Sequence, residues 1–153
     1  MMAMSASLVL LDLPVQAEGQ FDIVAKFEDA KVGLDVITYT NPDVTASASR
    51  VALLGFRSRS VRTSFVFSLN EWRSLFDLWT TAVKAQSDSW KVVGSLTEMG
   101  TTDVSVLTMS GGPGVKLAVT SLKKVSITYV LANADMARFE KALLRVKEFL
   151  SQR

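Results

Sequence analysis

Between Val61 and Gln86 the chain changes its hydrophobic period partway along. In VRTSFVFSL apolar and polar residues alternate, the two-residue repeat of a half-buried strand. From Asn70 onward Trp72, Leu75, Phe76, Trp79 and Val83 fall three and four apart, the repeat of one helix face. Ser68 or Asn70 can cap the helix start, and Glu71 places a carboxylate in the first turn, where the helix dipole favours it. The pattern fades at AQSDS. KKVSITYVLANADMARFEKALLRVKEFL makes the same change: Asn133 is expected to cap a helix whose stripe is Met136, Phe139, Leu143, Val146 and Leu150. Arg145, Lys147 and Arg153 lie toward its C-terminus, where cations suit the dipole.

Short strand-like runs precede each switch. FDIVAKFED sets Phe21, Ile23, Ala25 and Phe27 on one side, and GLDVITYTN alternates Leu34, Val36 and Thr38 against Asp35, Ile37 and Tyr39. NPDVTASAS reads as a loop, because Asn-Pro starts a turn and small polar residues offer nothing to bury. RVALLGFRSRS and VRTSFVFSL follow as strands with a tight turn near Ser60. In the second half SWKVVGSLTEM, DVSVLTMS, VKLAVTSL and KKVSITYVL repeat the plan. Val104, Val106 and Thr108 share a side of DVSVLTMS, and GGPG forms a hairpin turn after it.

The expected fold is therefore α+β: two ββββα units with antiparallel sheets packed about a pseudo-twofold, helices between or against the sheets. Residues 20–88 and 89–153 are the units of one compact domain, after an N-terminal arm, 1–19. Setting Trp72 against Met136 brings Leu75 onto Phe139, Trp79 onto Leu143, Phe65 onto Tyr129 and Phe67 onto Leu131. Identical letters are almost absent from this alignment, so pattern carries it, and a register shifted by two residues fits almost as well. One four-stranded sheet with one helix has too little core to stand alone, whereas two can cover each other.

Composition narrows the chemistry. With 153 residues, 48% of them hydrophobic and 21% charged, the chain has an ordinary globular balance for one domain. Cysteine and histidine are absent, which removes disulfides, thiolate chemistry, Cys/His zinc sites and Ser-His or Cys-His catalytic pairs. Asp12, Asp22, Asp29, Asp35, Asp43 and Asp103 fall mostly at strand ends and loops. No two are expected to share a pocket, so neither an acid–base couple, a metal site nor a cofactor is expected, and the chain does not read as an enzyme. At the N-terminus Leu8–Leu11 lacks a preceding basic region and is interrupted by Asp12. Leu8–Leu13 reads as a short docking segment, or an arm packing on a neighbouring subunit, rather than a secretory signal. No stretch approaches the ~20 apolar residues of a membrane span. The expected location is the cytoplasm of a bacterial or phage-infected cell, and the expected assembly a homo-oligomer.

In its order of elements the chain resembles the Whirly family of plants and the single-stranded-DNA-binding core of positive cofactor 4; the PUR repeat has a similar layout. FSLNEWRSLFDLW, Phe67 to Trp79, is similar to the "SLN-x-x-W" junction between strand and helix in the cofactor family, with its tryptophan about one residue early. The basic "KGKAAL" element of Whirly proteins has no counterpart here. The resemblance implies binding of single-stranded DNA or RNA along the sheets, with the helices packing the units together.

Such a surface needs cations to follow phosphates and flat side chains for bases to stack on. The net charge of +2 permits a polyanion without demanding one, so clustering decides. Arg57 and Arg59, two apart and hence on one strand face, with Arg62 beginning the next strand, form the densest cluster. Lys116, Lys123 and Lys124 are expected around the corresponding hairpin of the second half. Phe56, Trp90 and Tyr39 are the candidate stacking platforms. Trp72 and Trp79 belong to the helix stripe and are expected to pack. The competing expectation is a structural or assembly subunit, such as a virion component or scaffold oligomer, with no nucleic-acid role.

Overall fold

A computed structural model describes residues 19–42, 50–99, 104–122 and 126–152. The arm, most of the NPDVTASAS loop, Asp12, Asp43 and Asp103, and Lys123 and Lys124 lie outside the described residues. The elements run β1 (Gln20–Glu28), β2 (Gly33–Thr40), β3 (Arg50–Arg57), β4 (Arg62–Phe67), α1 (Leu69–Lys84), β5 (Lys91–Met99), β6 (Val104–Gly111), β7 (Val115–Ser121), β8 (Ser126–Leu131) and α2 (Asn133–Ser151). They form two four-stranded antiparallel meanders, β1-β2-β3-β4 and β5-β6-β7-β8, each followed by its helix. This is the α+β, twice-ββββα plan that the period changes predict.

Alternation gives each sheet one apolar face. In the first, Phe27, Leu34, Val36, Ala52, Leu54, Phe56, Phe65 and Phe67 are buried; in the second, Leu107, Met109, Val115, Leu117, Val119, Ile127, Tyr129 and Leu131. The helices cover these faces reciprocally. α1 leaves β4 and packs on β5 and β6 of the second sheet, while α2 leaves β8 and packs on β1 and β3 of the first. A helix stripe must bury against some apolar face, and each finds it on the other half. Trp72, Leu75, Trp79 and Ala82 of α1 therefore share one core with Phe139, Ala142, Leu143, Val146 and Leu150 of α2.

Two indoles join the helices. The buried Trp72 N–H donates to the Leu143 carbonyl at 2.9 Å, and the Trp79 N–H donates to Glu140 Oε1 at 2.8 Å. A buried indole N–H without an acceptor would forfeit much of the gain from burying its ring. Phe67 meets Trp72 edge-on, with ring centroids 5.1 Å apart, and Trp79 lies 4.9 Å from Phe139.

The two sheets also meet at their edges. Glu98 on β5 accepts from the Val66 amide of edge strand β4 at 2.8 Å, satisfying a donor that the first sheet leaves unpaired. Burial raises the Glu98 carboxyl above the ordinary range; the Val66 amide opposes this, and nearby Glu71 adds to it.

Pairing registers show how closely the halves repeat. Both first strands carry a one-residue bulge, between Ile23 and Ala25 in β1 and between Val92 and Gly94 in β5. Leu54 pairs with Phe65 and Leu117 with Tyr129, which superposes Phe65 on Tyr129 and Phe67 on Leu131, as the pattern alignment has it.

The bulge also overturns one expectation. Phe21, Ile23, Ala25 and Phe27 do not share a side, because the extra residue reverses the alternation. Ala25 and Phe27 oppose Val36 and Leu34 on the inner face, whereas Phe21 and Ile23 oppose Tyr39 and Ile37 on the outer face.

The helix starts differ. Ser68 closes a capping box on α1: its Oγ accepts from the Glu71 amide, and Glu71 Oε1 accepts from the Ser68 amide at 2.8 Å. Asn133 does not cap α2. Ala132 occupies the cap position without a side-chain bond, and the Asn133 side chain instead accepts from Gln86 at 2.8 Å.

Trp72→Phe keeps most of the ring volume but loses the indole bond to the Leu143 carbonyl, which lies inside α2 and keeps its helical partner. It should destabilise the fold by about 0.5–1.5 kcal/mol, read as a lowered urea midpoint with an unchanged slope. Trp79→Phe, whose partner Glu140 is exposed, should cost less; equal costs would contradict this assignment of the two indoles.

Candidate nucleic-acid interface

Because helices occupy both inner faces, the outer faces of the sheets are left open among the described residues. On the first sheet register and alternation place Phe21, Ile23, Lys26 and Glu28 of β1 there. Beside them lie Asp35, Ile37 and Tyr39 of β2, Leu53, Gly55 and Arg57 of β3, and Arg62, Ser64 and Val66 of β4. This face has two zones.

One zone is charged and lies beside the β1–β2 and β3–β4 turns. Arg57 is its fixed point. Its Nε and Nη2 form a fork to Asp35 at 3.0 and 3.1 Å, and Nη2 lies 3.7 Å from Glu28. The guanidinium crosses Gly33, where a Cβ would stand 2.4 Å from it, so glycine gives the side chain its path. Asp35 holds Arg57 more firmly protonated than usual. Asp35 is only 7% exposed, and a carboxylate so placed requires a partner. Arg57 is thus committed within the protein, a correction to its expected role as a free phosphate contact.

Arg59 does not share a strand face with Arg57. β3 ends at Arg57, and Arg59 sits exposed in the turn, where with Lys31, Ser58 and Ser60 it lines a hollow of about 460 Å³. Across that hollow Asp29 fixes the facing turn by accepting from the Lys31 and Val32 amides, both at 2.7 Å. These bonds hold its carboxyl below the ordinary range. Arg62 is exposed at the start of β4 and, with Asp35, Ile37, Gly55 and Ser64, borders a second hollow of about 270 Å³.

The other zone is apolar. Phe21 and Ile23 are 63% and 60% exposed, and Val66 36%, beside half-buried Ile37, Tyr39, Val51 and Leu53. Phe21 and Tyr39 touch, with centroids 4.5 Å apart and planes tilted by 40°. Tyr39 is therefore on the open face, as expected. Phe56 is not: it is fully buried at 0% exposure. Adjacent strand residues point to opposite faces, so Phe56 and Arg57 could never both have faced a ligand.

On the second sheet the outer face is largely hydroxylic, with Ser95, Thr97, Thr108, Thr120, Ser126 and Thr128 among Val92, Val106, Ala118 and Val130. Trp90, 38% exposed, stands just ahead of β5. Its ring lies against Gly112, where a Cβ would come within 2.6 Å, and the Lys116 ammonium sits 4.5 Å from the ring centroid. Lys116 is not at the hairpin matching Arg57–Arg62. It is the second residue of β7, at the far end from the β7–β8 turn.

The matching bulges make Trp90 the counterpart of Phe21, each two residues ahead of the last residue paired before the bulge. Sequence reading found Trp90 and missed Phe21. No signal in the sequence would have found Phe21, because Phe21, Ile23, Ala25 and Phe27 keep one parity along the strand and only the pairing register shows the bulge.

No protein-family model matches this chain, and no curated protein aligns with it.

A basic stripe also lies away from the sheets. Arg138, Lys141 and Arg145 of α2 border a hollow of about 190 Å³ beside Val24 and Ala25. Arg138 is occupied there, donating to the Lys26 carbonyl at 2.9 Å and lying 4.0 Å over the Phe27 ring. Among the described residues no cluster of carboxylates could hold a metal ion, and no helix is long and apolar enough to cross a membrane.

If Arg57 serves Asp35, a double-mutant cycle of Arg57→Ala with Asp35→Ala should give a coupling of about 1 kcal/mol, weakened by salt. Arg57→Ala alone should cost more stability than Arg59→Ala or Arg62→Ala, because it strands a buried carboxylate. Equal urea midpoints for all three variants would refute the assignment.

Proposed function

We propose that the protein binds single-stranded nucleic acid, with little sequence preference, on the outer faces of its two sheets. The observation that carries this reading is the pair of exposed aromatic positions, Phe21 beside Tyr39 and Trp90 beneath Lys116, at equivalent places in the two halves. Aromatic side chains at the surface of a sheet are stacking platforms for bases, tolerant of sequence because every base has a π-face. At Trp90 an incoming base takes the place of the Lys116 ammonium, which is then free to meet a phosphate.

Cations at the turn end of the first sheet serve the backbone. Arg59 and Arg62 are exposed there, and Lys26 stands on β1 between the two zones, held only loosely by Glu28 at 3.8 Å. From Tyr39 to the charged end the strand spans about 20 Å at ~3.3 Å per residue, room for a few nucleotides. The chain's element order, which resembles that of Whirly proteins and positive cofactor 4, supports the same reading. With a net charge of only +2, affinity rests on stacking as much as on phosphate contacts. Replication, recombination and transcription all present such strands. A second reading, an assembly subunit needing no nucleic acid, draws on the same exposed apolar residues and predicts oligomers indifferent to added oligonucleotide.

The test is a fluorescence-anisotropy titration of labelled oligothymidine and oligouridine between about 50 and 200 mM salt. Binding should weaken as salt rises. Phe21→Ala and Trp90→Ala should each cost roughly 1–3 kcal/mol, and Arg59→Ala and Arg62→Ala should each lower the salt slope by about 0.7. No binding at the lowest salt, or full affinity in both aromatic variants, would sink the proposal.

A further inference from the structure

Two hairpin turns stand side by side at the charged end of the first sheet. The Asp29 amide donates to the Val32 carbonyl at 2.9 Å, and the Ser58 amide to the Val61 carbonyl at 2.8 Å. Each hairpin therefore closes on a two-residue tip, Ala30–Lys31 in one and Arg59–Ser60 in the other. Pairing of Gly33 with Arg57 between β2 and β3 sets the tips next to each other. Between them lies the hollow of about 460 Å³, lined by Ala30, Lys31, Val32, Ser58, Arg59 and Ser60. Its volume is that of a small-ligand site.

Both charges on this lining are positive, and they come from opposite walls. Lys31 and Arg59 are exposed tip residues, and neither side chain closes its own turn. Two cations facing one hollow repel each other, so an anion seated between them is favoured by both. The neighbouring carboxylates are already engaged. Asp29 accepts from the Lys31 and Val32 amides, and Glu28 lies 3.7 Å from Arg57 and 3.8 Å from Lys26. Those bonds brace the tips before any ligand arrives, which lowers the ordering cost of binding.

Charge and position name the ligand class. A phosphodiester inside a strand carries one negative charge, whereas a phosphate monoester carries about −1.5 to −2 near pH 7 and offers three acceptor oxygens. Two cations and the Ser60 hydroxyl suit the second better than the first. The hollow also lies past the end of β3, which stops at Arg57. A hollow of about 210 Å³ shares Lys31 and Arg59 with it, and through Arg57 adjoins the one bordered by Arg62. The three make a path from the outer face of the sheet to the hairpin tips, where a strand lying on that face would end.

We propose that the hollow between the hairpin tips binds a phosphate monoester, held by Lys31 from one tip and Arg59 from the other. On a nucleic acid this group is the phosphorylated end of the strand. That second step rests on the single-strand reading above; the phosphate site itself does not. Stacking on Phe21 and Tyr39 then holds the bases, while the hollow fixes where the strand stops.

The test uses oligothymidines labelled at one end and carrying either a hydroxyl or a phosphate at the other, made in both polarities and titrated by fluorescence anisotropy. A phosphate at one of the two ends should tighten binding roughly tenfold over the hydroxyl form. The gain should vanish in Lys31→Ala and in Arg59→Ala. It should persist in Arg62→Ala, although that variant binds every oligonucleotide more weakly. Equal affinity of all forms, or a gain that survives both tip substitutions, would overturn the assignment. Thymidine monophosphate separates a free ligand from a strand end: it should shift the amide NMR signals of Lys31, Arg59 and Ser60, and thymidine should not. Such shifts without binding of any oligonucleotide would support the phosphate site and remove the single-strand reading. Oligonucleotide binding indifferent to end phosphates, with those amides unmoved by the monophosphate, would remove the site and leave that reading standing.

Discussion

An isolated four-stranded sheet has one face it must hide, and everything in this protein follows from how that face is hidden. Each half sends its helix across to the other half's sheet, so neither unit is complete alone. Trp72 and Trp79 of α1 fix the crossing by bonding to Leu143 and Glu140 of α2. Hydrophobic area supplies most of the driving force, and the two indole bonds set which turn of one helix meets which turn of the other. With both helices spent on the inner faces, the outer faces remain as open flat surfaces among the described residues.

Those faces are not equivalent, although the backbones repeat to the level of a shared bulge. On the second sheet serine, threonine and small aliphatic residues make a neutral surface with Lys116 at one end. On the first, charge and hydrophobicity are separated along the strands. Asp35 determines much of this separation, since its carboxylate is too buried to stand unpaired and draws in Arg57, with Glu28 nearby. The arginines left for an outside partner are then Arg59 in the turn and Arg62 beside it. A polyanion would find a narrower positive surface here than the arginine count alone suggests.

The architecture was legible because period changes are robust to substitution. Two switches from alternation to three- and four-residue spacing located both helices, and equivalences such as Phe65 with Tyr129 hold in the strand registers. The candidate site was less legible, for identifiable physical reasons. A bulge carries no sequence signature here, so alternation alone sets Phe21 and Ile23 on one side with Ala25 and Phe27. In RVALLGFR both parities are apolar enough to be core, which left Phe56 open to misassignment until its neighbours Leu34 and Thr63 fixed the register. Long-range ion pairs are likewise invisible, since Asp35 and Arg57 are separated by a strand reversal. Asn133 was expected to cap its helix and instead serves Gln86, a contact only tertiary structure could create.

Single-strand binding, on this account, is a property of sheet surface: aromatics at equivalent points of two halves, cations at one end, helices facing inward. Amide and side-chain NMR shifts followed during addition of an oligothymidine would test it directly. The account predicts that the largest changes fall on Phe21, Tyr39, Trp90 and Lys116, with Leu75, Phe139 and Leu143 nearly still. Changes concentrated instead along Arg138, Lys141 and Arg145 of α2, or none at saturating oligonucleotide, would contradict it.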